Sequence, residues 1–570
     1  MLGFCCSFVH LAETPVSARL KCMKTPTRST SETYLYKVTQ AKTTDALNIA
    51  WCYPASYAIS MASLGYLMLF ARLDQHPETS PQRFTTEDYG KTAHLKQADV
   101  IGFSFSFELD ILEILRCFQA EGFPLRSEDR GEDFPLVFAG GPVPSTNPEP
   151  YAPFLDFFLI GDGEELLLKT MLHLKRHRDL PKRERLKHLA QEVEGVYVPC
   201  FYDVSYAEKD ESGHAPLLSM TPNEAGIPPT VKRQSFQGLD FDVATLPILS
   251  EASVFGKSFL VEVMRGCSHR CRFCLASYST LPARPAGLGA LKEAVEKGLQ
   301  YTNELGLVGA LIADHPDFEE LCDFIRHKDD LRVSFGALRA DTLTLAICET
   351  LAHSGSTNVT LAIESGSPWL RRRINKNLKQ ETIFHAAELV AKSGLKGLKL
   401  YHMIGLPDEE ESHLEESIEL VKALHKDHPQ LKLSLGCSTF VPKAWTPFQW
   451  MPRLSTADLK KRMSILQKGV VHNAEFRPSS PKWDTFQAMV SRGDRRLAPF
   501  LERFTALGGT HGHVNRAMKE LQREGIDVPS ASWYGERERP EHELLPWDIL
   551  EQTVSKFILW KEGLMPPALK

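Results

Sequence analysis

At 570 residues the chain is long enough for several domains, each with its own core. Its 43% apolar and 24% charged residues are ordinary for a soluble globular protein, and a formal charge of −6 gives no overall basic field to argue for nucleic acid. Twelve cysteines do not make a disulfide framework in a chain of this size, and no apolar run reaches the roughly 18 residues that a bilayer span needs.

The first 45 residues stand apart. Acids are few (Glu13, Glu32, Asp45), bases are more frequent, and Ser and Thr are dense from Thr25 to Thr33. The segment reads as a disordered tail, with an organellar transit peptide as the alternative. The expected compartment is the cytoplasm, or an organelle stroma or matrix if the tail is a transit peptide.

From Leu47 strands alternate with helices. Strands are expected at Leu47–Tyr53, Val100–Phe105, Leu136–Phe138 and Phe154–Ile160, and helices at Tyr57–Leu73, Leu109–Ala120 and from Gly163 to about Arg176. This order predicts a doubly wound, Rossmann-like parallel sheet over residues 46–201. The Gly140–Gly141 and Gly161–Gly163 turns fall at strand ends, where such sheets bind ligands and where glycine lets backbone approach one. Residues 202–250 lose periodicity and read as a linker with short strands.

A second series begins at Ser258. Six strands are expected: Phe259–Met264, Leu307–Ile312, Arg332–Phe335, Asn358–Ile363, Leu398–Ile404 and Lys432–Phe440, with helices between them. Six such units predict a partial (βα)6 barrel over residues 251–455, with its chemistry on the loops after the strands. Beyond that the strand signal fades, and residues 456–570 read as a helical extension.

The loop after the first barrel strand is Arg265-Gly266-Cys267-Ser268-His269-Arg270-Cys271-Arg272-Phe273-Cys274. Three thiolates on one compact loop can hold three irons of a cubane cluster and leave the fourth iron for an exogenous ligand. A zinc site would want four ligands, usually as two separated pairs. No second Cys-x2-Cys occurs in the chain, and His269 could be a fourth ligand only in an unusually tight loop.

This loop resembles that of the radical S-adenosylmethionine (SAM) superfamily. Later stations match in order: Ser334 to Asp341, Ile363-Glu364-Ser365-Gly366-Ser367 with Ile374-Asn375-Lys376, Met403 to Glu409, and Phe440 to Phe448. The resemblance implies a 4Fe–4S cluster on Cys267, Cys271 and Cys274, and SAM cleaved reductively to a 5′-deoxyadenosyl radical. It implies adenine against the backbone at Phe273, with Gly405 and Val441 lining its pocket. Glu364 would accept from ribose hydroxyls or the methionine amine, and Lys376 would pair with the methionine carboxylate. Many members carry a Gly-Gly-Glu turn after the second strand, whereas this chain has Ala313-Asp314-His315-Pro316-Asp317. An external electron donor such as a flavodoxin or ferredoxin is the expected partner; neither a membrane nor nucleic acid is indicated.

The N-terminal sheet resembles the cobalamin-binding domain of one subgroup, through Tyr53 to Tyr57, Ala139 to Pro142 and Gly161 to Glu164. That leaves cobalamin open as a further cofactor, and with it methyl transfer to an unactivated carbon. Histidine-ligated binding is not expected, because no histidine occurs between His10 and His76. Two other readings remain. A methylthiotransferase acting on RNA or protein would hold a second cluster on three N-terminal cysteines; Cys52 suits that place, and Cys117, in mid-helix, does not. A non-enzymatic metal-binding scaffold would hold zinc without iron. No motif names the substrate or a catalytic residue acting on it.

Overall fold

The structure is a computed structural model that describes residues 32–91, 94–211 and 213–566. The tail expectation for residues 1–31 lies outside the described residues. Residues 33–36 lie against the fold. Thr33–Tyr34 pairs antiparallel with Ile248–Leu249, Leu35 is buried, and the Tyr36 hydroxyl donates to Asp74 at 2.8 Å.

The N-terminal sheet comprises β1 (Leu47–Cys52), β2 (Thr79–Phe84), β3 (Val100–Ser104), β4 (Leu136–Gly140), β5 (Phe157–Leu159) and β6 (Val196–Tyr197). Their order is β2-β1-β3-β4-β5-β6, parallel except for the last pair. Strands β1, β3, β4 and β5 are almost wholly buried, as expected where helices cover both faces. The order reverses between β1 and β3, which opens a crevice at their carboxyl ends. Helices α1 (Leu64–Gln75), α2 (Ile111–Glu121), α3 (Gly163–Arg176) and α4 (Lys182–Glu192) connect the strands. The helix expected over Tyr57–Leu73 is broken. A single turn at Tyr57–Ser60 precedes α1, whose N-cap position is Ser63.

Residues 202–250 include an antiparallel hairpin, Tyr202–Tyr206 with Leu217–Pro222. The barrel strands are β7 (Phe259–Arg265), β8 (Glu304–Gly309), β9 (Arg332–Phe335), β10 (Asn358–Glu364), β11 (Gly397–Ile404) and β12 (Lys432–Thr439). They run parallel as β7-β8-β9 and β10-β11-β12, and a Leu338–Leu361 bridge joins the two sets. Helix α5 (Thr456–Val470) then leads to one more parallel strand, β13 (Glu475–Pro478), beside β12. The expected purely helical extension therefore begins with a seventh barrel strand. Beyond β13 the chain is mostly helical and packs back on both domains: Asn147 donates to the carbonyls of Ser491 and Gly493, and Arg495 pairs with Glu149.

Candidate functional site

The cysteine loop leaves β7 at the carboxyl end of the barrel, where barrel chemistry resides. Cys267 and Cys271 are buried and Cys274 is partly so. The loop backbone is tied down on several sides. Arg272 donates its N–H to the Ile374 carbonyl at 3.0 Å, and Phe448 donates its own to Arg272 O at 3.2 Å. The Asn375 amide reaches the carbonyls of His269 and Arg270 at 3.1 and 2.9 Å, and the Tyr278 hydroxyl reaches Arg270 O at 2.9 Å. Arg270 also pairs with Glu562 of the C-terminal helix. Such crosslinks hold the three sulfurs in place before any metal arrives.

Burial pushes the Cys271 thiol up to about 12 and raises Cys274 as well. As free thiols both are inert; a metal that takes them as thiolates displaces their protons. Three cysteine sulfurs on one compact loop are the donor chemistry of an iron–sulfur cluster with one iron left open.

Beside the cysteines lies a buried ion pair. Lys376 Nζ donates to Glu364 Oε1 at 3.1 Å. Burial disfavours the Lys376 charge, but the Glu364 carboxylate and the Cys271 sulfur outweigh it and hold the ammonium above its ordinary pKa. Glu364 follows a register shift in β10 and adopts φ +66, so the strand end bulges and re-aims this side chain. Lys376 follows Asn375, itself at φ +56. Arg339 binds Asp341 through two bonds of 2.8 and 2.7 Å and donates to Lys376 O at 2.9 Å, yet its Nη1 is buried without a partner.

Phe273 packs on a small separate core of Leu370, Ile374, Leu406, Phe440 and Phe448. Gly405 sits at φ +75 where β11 ends, and the backbone N–H groups of Gly405 and Leu406 both donate to Glu409 Oε2, at 2.6 and 3.2 Å. Val441 is half-buried just past β12. The sequence-predicted residues thus gather on the segments that follow β7, β10, β11 and β12. In the turn after β8, Asp314 Oδ2 lies 2.6 Å from His269 Nε2, while its Oδ1 is buried without a partner.

A second cavity, of about 130 Å3, lies between the strand ends of the N-terminal sheet and the barrel. Trp51, Ser104, Gly140 and Gly163 line one side, and Glu262, Arg265 and Gly266 the other. An ion network crosses it. Asp162 meets Arg284 at 2.9 Å, Arg233 at 3.1 Å and Arg265 at 3.3 Å, while Arg265 also meets Glu262 at 2.6 Å and Glu164 at 2.7 Å. Burial acts to raise the Asp162 carboxyl, but the three guanidiniums outweigh it and leave it below the usual range. Sequence spacing gave no sign of this network, whose members are far apart in the chain. A Cβ at Gly161 would lie 2.1 Å from Gln234 O, so its close approach is to protein backbone.

Two family models match the chain, and together they span about half of it. "Radical SAM proteins, N-terminal" covers residues 70–199 and "Radical SAM superfamily" covers 261–421. The chain belongs to the radical SAM superfamily. This radical SAM protein is an enzyme whose reaction class is open, and membership implies a 4Fe–4S cluster and SAM as its cofactors. The uncharacterized protein MJ0966 of Methanocaldococcus jannaschii is 29% identical over 468 residues, 80% of this chain and 90% of that one. The tRNA-2-methylthio-N(6)-dimethylallyladenosine synthase of a Psychrobacter species is 26% identical over 257 residues, 42% of this chain and 51% of that one. Among solved structures, the radical SAM methyltransferase TsrM of Kitasatospora setae, with cobalamin and a [4Fe-4S] cluster bound, shares 14% identity (TM-score 0.48; 84% of this chain, 100% of that one). The cobalamin-dependent radical SAM enzyme OxsB shares 15% (TM-score 0.47; 84% and 71%).

Proposed function

We propose that Cys267, Cys271 and Cys274 hold the 4Fe–4S cluster and that SAM binds between them and the ends of β10 to β12. The observation that carries this reading is the placement of the cysteine loop directly against the buried Lys376–Glu364 pair. When bound, the cluster supplies the electron that cleaves SAM reductively to a 5′-deoxyadenosyl radical. The chain's own part is to bind, orient and keep water out. Lys376 offers a fixed, desolvated cation for the methionine carboxylate. Glu364 offers acceptor oxygens for the ribose hydroxyls or the amine. The Phe273 backbone, Gly405 and Val441 line the adenine side, on an apolar wall built from Leu406 and Phe440. Asp314 is held by His269 through Oδ2 and keeps a buried Oδ1 without a partner, which offers the amine an acceptor beside the backbone carbonyls. The electron comes from an external flavodoxin or ferredoxin.

The strand-end cavity stands where the N-terminal sheet could add cobalamin and direct the enzyme to methyl transfer. It lacks a histidine, and at about 130 Å3 it lies below the ~300 Å3 floor of small-molecule sites, so a corrin ring enters only after the domains part. For a methylthiotransferase, Cys52 and Cys117 do lie together, with burial and the neighbouring Cys117 holding the Cys52 thiol well above its ordinary range. The remaining described N-terminal cysteine, Cys200, is exposed.

The test is anaerobic reconstitution followed by turnover. The protein should take up about four irons and, once reduced with dithionite, convert SAM to 5′-deoxyadenosine. Cys271→Ala should abolish cleavage. If that variant still cleaves SAM, the ligand assignment fails; stoichiometric zinc without iron would sink the radical reading itself. Small molecules released from the same preparation report whether cobalamin is carried.

A further inference from the structure

On the N-terminal domain, away from the barrel, two helical i,i+4 pairs meet. His173 lies in the last turn of α3 and His177 is its C-cap; His188 and Glu192 lie on α4, which packs against α3. Each spacing puts its two residues on one helix face. The His177 ring lies 4.5 Å from that of His173 and stacks on that of His188 at 4.8 Å, nearly parallel. Glu192 reaches both helices: its Oε1 lies 2.9 Å from His188 Nδ1 and its Oε2 3.9 Å from His173 Nδ1.

Three features distinguish this group from a chance surface cluster. One ligand atom each from His173, His177 and Glu192 all lie within 4.8 Å of one another, and they are the one such trio among the described residues. His173 is only 3% exposed, and its Nε2 has no hydrogen-bond partner. The group is also rich in acceptors. Each neutral imidazole carries a lone pair, the carboxylate only accepts, and nearby Arg176 gives its Nε–H to the Leu172 carbonyl instead. Burial, aided by His177, pushes His173 down to about 4, which keeps it in the neutral form that ligates.

We propose that His173, His177 and Glu192 bind one divalent transition metal, zinc by preference, with His188 as the fourth ligand. Three imidazoles and a carboxylate are a zinc donor set, and metal–ligand distances of about 2.0–2.2 Å require the ligand atoms of His173, His177 and Glu192 to close in by less than about 1 Å, while His188, outside that trio, must turn in from its contact with Glu192. His177 and Glu192, both more exposed than His173, are free to make that movement. Four protein ligands leave no open position, so the ion is structural and clips α3 to α4. The site is distinct from the cofactor site: the length of α3, about 20 Å, separates it from Asp162 and the strand-end cavity.

The experiment uses the full chain with its iron–sulfur cluster assembled anaerobically, so that the loop cysteines are occupied. Cobalt(II) is titrated as a spectroscopic probe and then displaced by zinc. One cobalt should bind beyond the iron, with tetrahedral visible bands and without the intense near-ultraviolet charge transfer of thiolate ligands. His177→Ala and Glu192→Ala, chosen because neither side chain is part of the core, should each weaken zinc binding at least about tenfold. Iron content and SAM cleavage should be unchanged in both. Zinc should raise the thermal midpoint of the wild-type protein and not of the variants. Equal zinc affinity in wild type and both variants, or a thiolate spectrum for the bound cobalt, overturns the proposal.

Discussion

His402 is buried in β11, and its burial has a cost that depends on pH. Its Nε2 lies 2.9 Å from Ser417 Oγ, while Nδ1 has no partner. Ser417 Oγ already donates to the His413 carbonyl and accepts from the Gly366 N–H, so the imidazole must be the donor here and carries its proton on Nε2. A second proton on Nδ1 would be a buried charge facing no acceptor. Burial accordingly pushes this histidine down to about 4, from an ordinary value near 6.5. The unfolded chain therefore binds more protons between these values, and stability must fall as pH falls through that window. It is fully present above about pH 6.5. Acidification toward pH 4 should remove roughly 3 kcal/mol through this residue. Denaturant melts at pH 7 and pH 5 check this. His173 titrates in the same window, so the informative quantity is the difference from His402→Gln, which keeps a donor for Ser417 and cannot titrate. That variant should lose distinctly less stability over the same interval, and an equal loss would refute the assignment.

The turn between β11 and the helix that follows shows how elements position the site. Its two leading N–H groups are held by Glu409, which is anchored in turn by Arg462 of α5 at 2.8 Å. The turn requires a left-handed residue at 405, and a Cβ there would lie 2.6 Å from Leu459 of α5. Gly405→Ala should cost about 1–2 kcal/mol from backbone strain alone, read as a lower denaturation midpoint. On the proposed placement of adenine against this turn, it should also weaken SAM binding more than it lowers iron content, because the turn is separate from the cysteine loop. Much of this frame was legible in the sequence. The cysteine spacing, the acid at 364 and the Gly405-Leu406-Pro407 turn each sit where a buried apolar run stops, and buried runs are easy to read. What escaped notice was short or polar. β2 contains Pro81, tolerated because this strand is at the sheet edge, and β13 is four residues long and mostly exposed. Pairings such as Glu409 with Arg462 depend on contacts distant in the chain, which no local pattern encodes.

At the scale of the whole molecule, buried charge crosses the seam between the domains alongside a continuous apolar core. Glu108, beside α2, pairs with Lys443 of the barrel and also receives Ser491 Oγ and Gln487 Nε2, both at 2.8 Å, from the C-terminal region. Asp162, at the start of α3, gathers Arg233, Arg265 and Arg284 from the linker and the barrel. Both acids hold together parts of the chain distant in sequence, and both are depressed in pKa against the pull of burial. Buried pairs of this kind add little net stability but are costly to break singly, because the surviving charge stays desolvated. Asp162→Asn removes the shared carboxylate and leaves three guanidiniums in one place. Arg265 keeps Glu164 and Glu262, whereas the bridge that Asp162 makes to Arg233 and Arg284 is lost. The expected result is a loss of about 3 kcal/mol, concentrated at the domain seam rather than spread through either core. Calorimetry should then resolve the single unfolding transition into two, and proteases should cut between residues 233 and 250 faster than in the wild type. Added salt should rescue little, since buried charges are weakly screened. A single transition at the wild-type midpoint would show that apolar contacts, and not this network, hold the N-terminal sheet over the mouth of the barrel.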